Sequence, residues 1–318
     1  MLNERYAKLL LESVQTVNVI EELKKNVKTL SDVYSEKETF EILNSLARVG
    51  KPFASISKIG RKVEVSWNIE HVIRFIKDIL IPNTVLLDYK DRDVIELLMF
   101  SMEFAFSMLE GNTKATKTQK GFRERNRDVE TIMVNTFVGL IGEVGLRKFL
   151  KEKFNVEIEL DRSIGTDISQ YKSDIVNSKK PVSIKTTPNL KAVWAECPIG
   201  YDVGIFVKAS VPEAVFINAL AQVCAFRKLV EFSKEVLGES PILKTIESRL
   251  YYDKCGAVEH AIKCFICGYM ETEGLEPTEK GEKLPYLGEV REKRYLLEFT
   301  KLKSTEKDWK IFVERVLS

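Results

Sequence analysis

Apolar residues recur three and four positions apart along the first third of the chain, as at Val17, Ile20 and Leu23. This spacing places apolar side chains on one face of a helix and predicts a mostly helical N-terminal region. The helical pattern is interrupted where apolar and polar residues alternate over 53–56 and 63–67, and this alternation predicts a β-hairpin.

The middle of the chain changes from a helical to a strand period. An apolar-rich segment over residues 129–151 predicts one long helix, with Glu143 between two glycines near its centre. Beyond it, apolar and acidic residues alternate over 156–160 and predict a strand. Short apolar segments at 174–176 and 182–185, separated by turn-forming residues, predict a second hairpin.

The C-terminal part repeats both kinds of pattern. We predict strands at 203–207 and 295–299 and a closing helix near 309–316. Together the elements predict an α/β (α+β) fold, with a mixed central sheet and flanking helices. We expect two regions, a mostly helical N-terminal region over 1–110 and a second region over 111–318 that holds the sheet.

Composition restricts the classes of function. The 318 residues are 44% hydrophobic and 30% charged, which excludes a disordered or collagen-like chain. Lysine and arginine total 49 against 47 acids, so the protein as a whole is not a polycation that coats nucleic acid. We expect no membrane-spanning segment, and the charged N-terminus, unlike a secretory signal, predicts a cytoplasmic location.

A basic segment over residues 112–127 is the strongest local charge feature. It contains six cations and one acid, Glu124, among polar side chains. A solvated loop and a contact with DNA phosphates are the two interpretations. The candidate DNA-binding residues are Lys114, Lys117, Lys120, Arg123, Arg125 and Arg127. The order of helix and hairpin within 1–110 also suits a winged-helix-like DNA-binding part.

The second predicted hairpin brings together side chains with catalytic potential. Asp174 begins its first strand and Lys185 lies near the end of its second, so both are at one end of the hairpin and face one pocket. Ser183 shares the face of Lys185, whereas Ile184 points into the core and leaves its carbonyl available as a ligand. An edge hairpin with a solvated lysine and a turn-capping acid is the alternative interpretation.

This stretch resembles the PD-(D/E)xK nuclease superfamily, the core of most type II restriction endonucleases. Asp174 matches the first acid, and Ser183, Ile184 and Lys185 match the (D/E)xK element. The sequence departs from the family pattern at Ser183, where Asp or Glu is usual. Glu143 lies on the preceding helix, from which an acid often helps to bind metal in this family. The resemblance covers about a quarter of the chain.

The resemblance implies a role for each matching residue. Asp174, or Asp167 in its place, would be the first catalytic acid. The metal ligands would be Asp174, Glu143 and the Ile184 carbonyl, since Mg²⁺ prefers oxygen. Lys185 would position the attacking water and stabilise the charge of the transition state.

The implied activity is Mg²⁺-dependent, site-specific cleavage of double-stranded DNA, with Mn²⁺ as a substitute metal. The resemblance further implies a homodimer and a cognate DNA methyltransferase as functional partner. Two alternatives stay open. One is a non-catalytic DNA-binding protein with a degenerate nuclease core, because one acid is replaced by serine; the other is a DNA-repair or RNA-processing nuclease.

Four residues have spacings that could close a zinc site: Cys255, His260, Cys264 and Cys267. The segment around the last two is apolar and strand-like, and cysteine is among the most buried residue types, so we favour a buried strand over structural Zn²⁺. The sequence contains no phosphate-binding glycine loop, zinc-protease motif or serine nucleophile elbow. These absences argue against a nucleotide-driven motor, a dinucleotide enzyme and a serine hydrolase.

Overall fold

A mixed sheet with helices on both faces forms the centre of the protein. The structure is a computed structural model that describes residues 14–59, 62–109, 128–163, 173–223, 225–238, 240–249 and 261–317. The helices are α1 (Val14–Asn26), α2 (Thr29–Val33), α3 (Glu36–Val49), α4 (Ile69–Phe75), α5 (Arg92–Leu109), α6 (Val129–Phe154), α7 (Val215–Gln222), α8 (Ala225–Leu237), α9 (Pro241–Arg249) and α10 (Glu306–Phe312). The strands are β1 (Ala54–Ile59), β2 (Lys62–Trp67), β3 (Thr84–Leu87), β4 (Val182–Thr187), β5 (Trp194–Pro198), β6 (Val203–Ser210), β7 (Ile262–Glu271), β8 (Lys283–Leu284), β9 (Gly288–Glu289) and β10 (Arg294–Glu298).

The central sheet has the strand order β3-β7-β6-β4. Strand β4 runs parallel to β6, whereas β6 with β7 and β7 with β3 are antiparallel. Every residue of β7 except the last is buried, because both faces of this central strand are covered. Strand β4 is left at one edge of the sheet, so its outer backbone groups are available to a neighbouring loop.

Helix α6 packs on one face of this sheet through two glycines. A Cβ atom added at Gly142 would overlap Thr186 Oγ1, and one added at Gly145 would lie 2.6 Å from Cys264 Cβ. The backbone of α6 therefore approaches β4 and β7 more closely than any larger residue would allow. The core on this face contains Phe137 and Phe149 from the helix and is completed by Trp309 of α10.

Alanine at Gly145 is expected to lower the free energy of unfolding by about 1–3 kcal/mol, because the added methyl group overpacks the contact with Cys264. Gly139 is the matched control, since no described residue outside its own helix lies within 4 Å of a Cβ added there. Gly139→Ala should instead raise the free energy of unfolding by up to about 1 kcal/mol through helix propensity. Urea denaturation of both variants measures the difference, and equal effects would contradict the close approach.

The N-terminal helices cover the other face of the sheet. Leu23 of α1 and Leu43 of α3 share a core with Phe206 of β6 and Phe265 of β7. Strand β3, which also precedes residue 110, pairs with β7 inside the sheet. Residues on both sides of position 110 thus build one sheet and its cores, and a division at that point does not separate two cores.

Most of the predicted elements are confirmed. The hairpin at 53–67 is β1 with β2, the long helix is α6, and the strand predicted at 203–207 is β6. The strand at 295–299 is β10, and the closing helix is α10 with the turn that follows it. The mixed sheet with flanking helices is likewise present.

The strands predicted at 156–160 and 174–176 are wrong. The two segments meet only in an isolated bridge between Leu160 and Ile175. Side chains replace a ladder here, because Asn177 Oδ1 accepts the Glu159 amide at 2.9 Å and Asp174 Oδ2 accepts the Ile184 amide at 2.6 Å. The second hairpin is therefore a loop packed beside β4 rather than a pair of strands.

Helix α6 is long and apolar enough to cross a membrane by length and composition alone, with a mean hydropathy of 1.4 over its most apolar window. This differs from the expectation that no segment would reach that length. In the fold, α6 lies between the sheet and α5, and ten of its residues are buried. Its apolar composition is that of a core helix.

Candidate active site at the edge of the sheet

Asp174 lies in the loop that leads into β4. Its amide donates to the Val182 carbonyl at 2.8 Å, and its Oδ2 accepts the Ile184 amide at 2.6 Å. These two hydrogen bonds hold the carboxylate against the outer edge of β4. The side chain of Ile184 is buried on the core side, as predicted, and only its backbone faces Asp174.

Glu143 reaches the same region from α6. Its side chain is buried, with 4% of the residue exposed, one position after the glycine that touches β4. Arg162 Nη1 donates to Glu143 Oε2 in a nearly buried ion pair. Burial raises the pKa of the Glu143 carboxyl to about 7, opposed by Arg162, and the nearby charge of Asp174 raises it further.

Asp174, Glu143 and Lys185 form one electrostatic cluster. Burial raises the pKa of Asp174, while the Ile184 amide and the Lys185 ammonium hold it down. Lys185 also lowers the pKa of Glu143. The three predicted catalytic side chains are thus close enough for their charges to interact, although they come from a helix, a loop and a strand.

Ser183 occupies the position where the motif usually has an acid. It is wholly buried. Its hydroxyl lies close enough to Asp174 to hydrogen-bond that carboxyl and favour its ionised form. The serine therefore supports the Asp174 carboxylate but brings no charge of its own to the cluster.

Arg162 was missed by the sequence analysis. Besides Glu143, its guanidinium lies 5.8 Å from the ring centroid of Phe100 and bonds the Asp161 carbonyl at 3.3 Å. Its position fixes the buried carboxylate of Glu143 and offsets its charge. The pairing spans nineteen residues of chain, and no spacing rule in the sequence indicates it.

Asp161 and Tyr201 complete the surroundings. The Asp161 amide donates to the Asp174 carbonyl at 3.2 Å, and its carboxylate raises the pKa of Asp174. Burial raises the pKa of the Tyr201 hydroxyl, and the charge of Asp174 raises it as well. Tyr201 therefore stays neutral near the cluster at physiological pH and is a donor to an anionic ligand.

Several predicted residues lie outside the described part of the chain. These are Asp167, Lys114, Lys117, Lys120, Arg123, Arg125, Arg127, Cys255 and His260. Among the described residues, no group of three His, Cys, Asp or Glu side chains converges tightly enough to hold a metal ion. Cys264 and Cys267 are buried in β7, in agreement with the buried strand predicted for that segment.

A cleft of about 760 Å³ opens beside the next turns of α6. It is lined by cations, but Arg147 pairs with Asp93 at 2.6 Å and Lys148 with Asp91 at 3.2 Å. Because these cations are already neutralised, the cleft offers little to a phosphate group.

Comparison of this chain with protein-family models, curated proteins and solved structures finds no match. The cluster at β4 combines the buried carboxylate of Glu143, the half-buried carboxylate of Asp174, a lysine and an edge strand with an available carbonyl. Such a set of oxygen donors beside a cation suits hydrolysis of a phosphate ester.

Proposed function

We propose that this protein is a Mg²⁺-dependent endonuclease of the PD-(D/E)xK type that cuts double-stranded DNA at specific sites, as type II restriction enzymes do. The observation that carries the proposal is the electrostatic cluster of Glu143, Asp174 and Lys185 at the edge of the central sheet. The charges of these three residues interact although Glu143 and Lys185 are more than forty positions apart in the chain, and this supports the roles that the motif would assign to them.

The donor set fits a hard cation. Asp174 and Glu143 offer carboxylate oxygens, and Mg²⁺ needs only one or two such ligands because it keeps several waters. The N–H and C=O of a strand residue point to the same side, so the Ile184 carbonyl faces the outer edge where its amide meets Asp174. The Ser183 hydroxyl, which favours the ionised form of Asp174, would help to orient the carboxylate that holds the metal.

The bound metal would polarise the scissile phosphate and lower the pKa of a water molecule. Lys185 would hold the attacking water and offset the charge that builds on the phosphate oxygens. Arg162 would keep the Glu143 carboxylate in position before the metal binds. A homodimer would then cut both strands of a two-fold symmetric site, with the basic segment at 112–127 contacting the phosphates.

The test is cleavage of unmethylated phage DNA with Mg²⁺ and with EDTA. We expect discrete fragments with Mg²⁺ only, and a loss of about a thousandfold in rate for Lys185→Ala. Lys179→Ala is the matched control, because Lys179 is an exposed lysine in the same loop region and should cleave as the wild type does. Cleavage that persists in Lys185→Ala would overturn the assignment.

A second candidate is a non-catalytic DNA-binding protein with a degenerate core. The buried serine at position 183 favours this candidate, because a hydroxyl, unlike a carboxylate, supplies no negative charge to a metal. DNA that stays intact with Mg²⁺ and Mn²⁺ but shifts on a gel without metal would support this candidate. Cleavage confined to branched, nicked or RNA substrates would instead support a repair or RNA-processing nuclease.

A further inference from the structure

The helices α7, α8 and α9 expose an unusual amount of apolar surface. The six most exposed apolar side chains of these helices are 55–69% accessible: Ile217, Leu229, Phe232, Val236, Leu237 and Ile242. Monomeric proteins rarely expose contiguous apolar patches of more than a few hundred Å². The exposed apolar side chains are concentrated on three consecutive helices rather than scattered singly over the surface, and this concentration indicates an interaction surface.

Helix α8 is weakly attached to the rest of the fold. Val230 is its one buried residue, and neither Val230 nor the buried Leu243 of α9 belongs to the cores around the central sheet. Leu229, Phe232 and Val236 lie three and four residues apart and form a stripe on a face other than that of Val230. The stripe has the spacing of a seam between two helices.

The charges beside this stripe are self-complementary. Lys228 and Glu235 are both exposed, lie two helical turns apart and flank the stripe on the same side. When a second α8 lies antiparallel about a two-fold axis near Phe232, each Lys228 faces Glu235 of the other copy. The same symmetry places the two Phe232 rings against each other at the axis.

We infer that the face formed by α7, α8 and α9 is the self-association surface of this protein, and that its occupant is a second copy of the chain. The charges of α8 are complementary to those of a second α8 related by a two-fold axis. Binding to a protein of another sequence would not require this complementarity. The inference concerns assembly alone and does not depend on the proposed nuclease activity.

Sedimentation velocity of the full chain over roughly a hundredfold range of concentration tests the surface. We expect a dimer for the wild type and a dissociation constant raised at least about a hundredfold in Phe232→Lys, because two rings leave the interface together. Leu287→Lys, at an exposed apolar position in the β8–β9 hairpin, is the control and should stay dimeric. Circular dichroism confirms that each variant remains folded.

A charge exchange separates the two-fold pairing from a general apolar contact. Lys228→Glu and Glu235→Lys should each weaken the dimer about tenfold, because each places like charges opposite one another. A mixture of the two variants restores opposite charges on both sides of the axis and should form a heterodimer of wild-type affinity. The double variant K228E/E235K should likewise form a homodimer of wild-type affinity.

Three results would overturn the inference. One is a wild type that is monomeric at every concentration, together with a Phe232→Lys variant whose only change is a lower melting temperature. In that case the chain's own residues cover the surface. Another is a dimer that Phe232→Lys leaves intact. The third is a pair of charge variants that fail to rescue each other when mixed.

Discussion

Asp174→Asn is expected to lower the rate of Mg²⁺-dependent DNA cleavage by more than about a thousandfold while leaving the protein folded. Asparagine keeps an oxygen that can accept the Ile184 amide, so the loop beside β4 should hold its position. The substitution removes the negative charge from a carboxylate that is hydrogen-bonded to the edge strand. Single-turnover cleavage of a mapped site, at saturating enzyme, measures the chemical step alone.

The control for this change is Asp78→Asn, which changes an exposed carboxylate about a hundred positions before β4 in the sequence. It should cleave at the wild-type rate. DNA binding by Asp174→Asn, measured in Ca²⁺ or EDTA, should be retained. Cleavage by Asp174→Asn at the wild-type rate would show that Asp174 is not the first catalytic acid and would leave Asp167 as the candidate.

Glu143 is expected to make the stability of the metal-free protein depend on pH. Its folded pKa of about 7 lies above the ordinary value of 4.5, so the folded chain holds a proton that the unfolded chain releases. Its contribution to stability is complete below about pH 4.5 and is lost as the pH rises through 7, a change of about 3 kcal/mol. Glu143→Gln should remove this change, since glutamine stays neutral.

Chemical denaturation in EDTA at about pH 4 and about pH 8 measures the effect. The variant should match the wild type at the lower pH and exceed its free energy of unfolding by up to about 3 kcal/mol at the higher pH. Glu152→Gln changes an exposed residue of the same helix and should follow the wild-type profile. Parallel profiles for Glu143→Gln and the wild type would contradict the buried, proton-binding state.

The periodicity of apolar residues correctly predicted the helices and strands that bury one face in the core. It failed where side chains, rather than a neighbouring strand, bond the backbone amides. The length of α6 follows from its apolar residues, whereas the three-residue spacing of Gly139, Gly142 and Gly145 does not show that only the last two pack against the sheet. The alternation over 156–160 is equally regular, yet it forms one bridge. Sequence alone does not show that Asn177 and Asp174 occupy the backbone amides that a ladder would have used.

The candidate site was predictable where its residues are neighbours on one strand. The order of Ser183, Ile184 and Lys185 fixes which side chains share a face, whatever the rest of the fold does. The contact of Arg162 with Glu143 depends on how the segment after α6 turns back across the helix, which is a tertiary property. Local sequence carries no signal for it.

Lys208 shows the same limit in the core. A lysine in the apolar pattern of β6 would be placed at the surface, but it is buried, donates to the Leu190 carbonyl at 3.1 Å and lies 3.5 Å from the centroid of the Phe299 ring. Burial lowers its pKa to about 8. Its partners come from other parts of the chain, so only the assembled fold reveals them.

The pairing of β3 with β7 joins residues about 180 positions apart, with Thr84 opposite Phe265. During synthesis on the ribosome, β3 emerges long before the strand that completes it. At ordinary elongation rates it must wait roughly 10 to 40 seconds for its partner. The N-terminal helices can assemble first, but the sheet closes only when nearly the whole chain has left the exit tunnel.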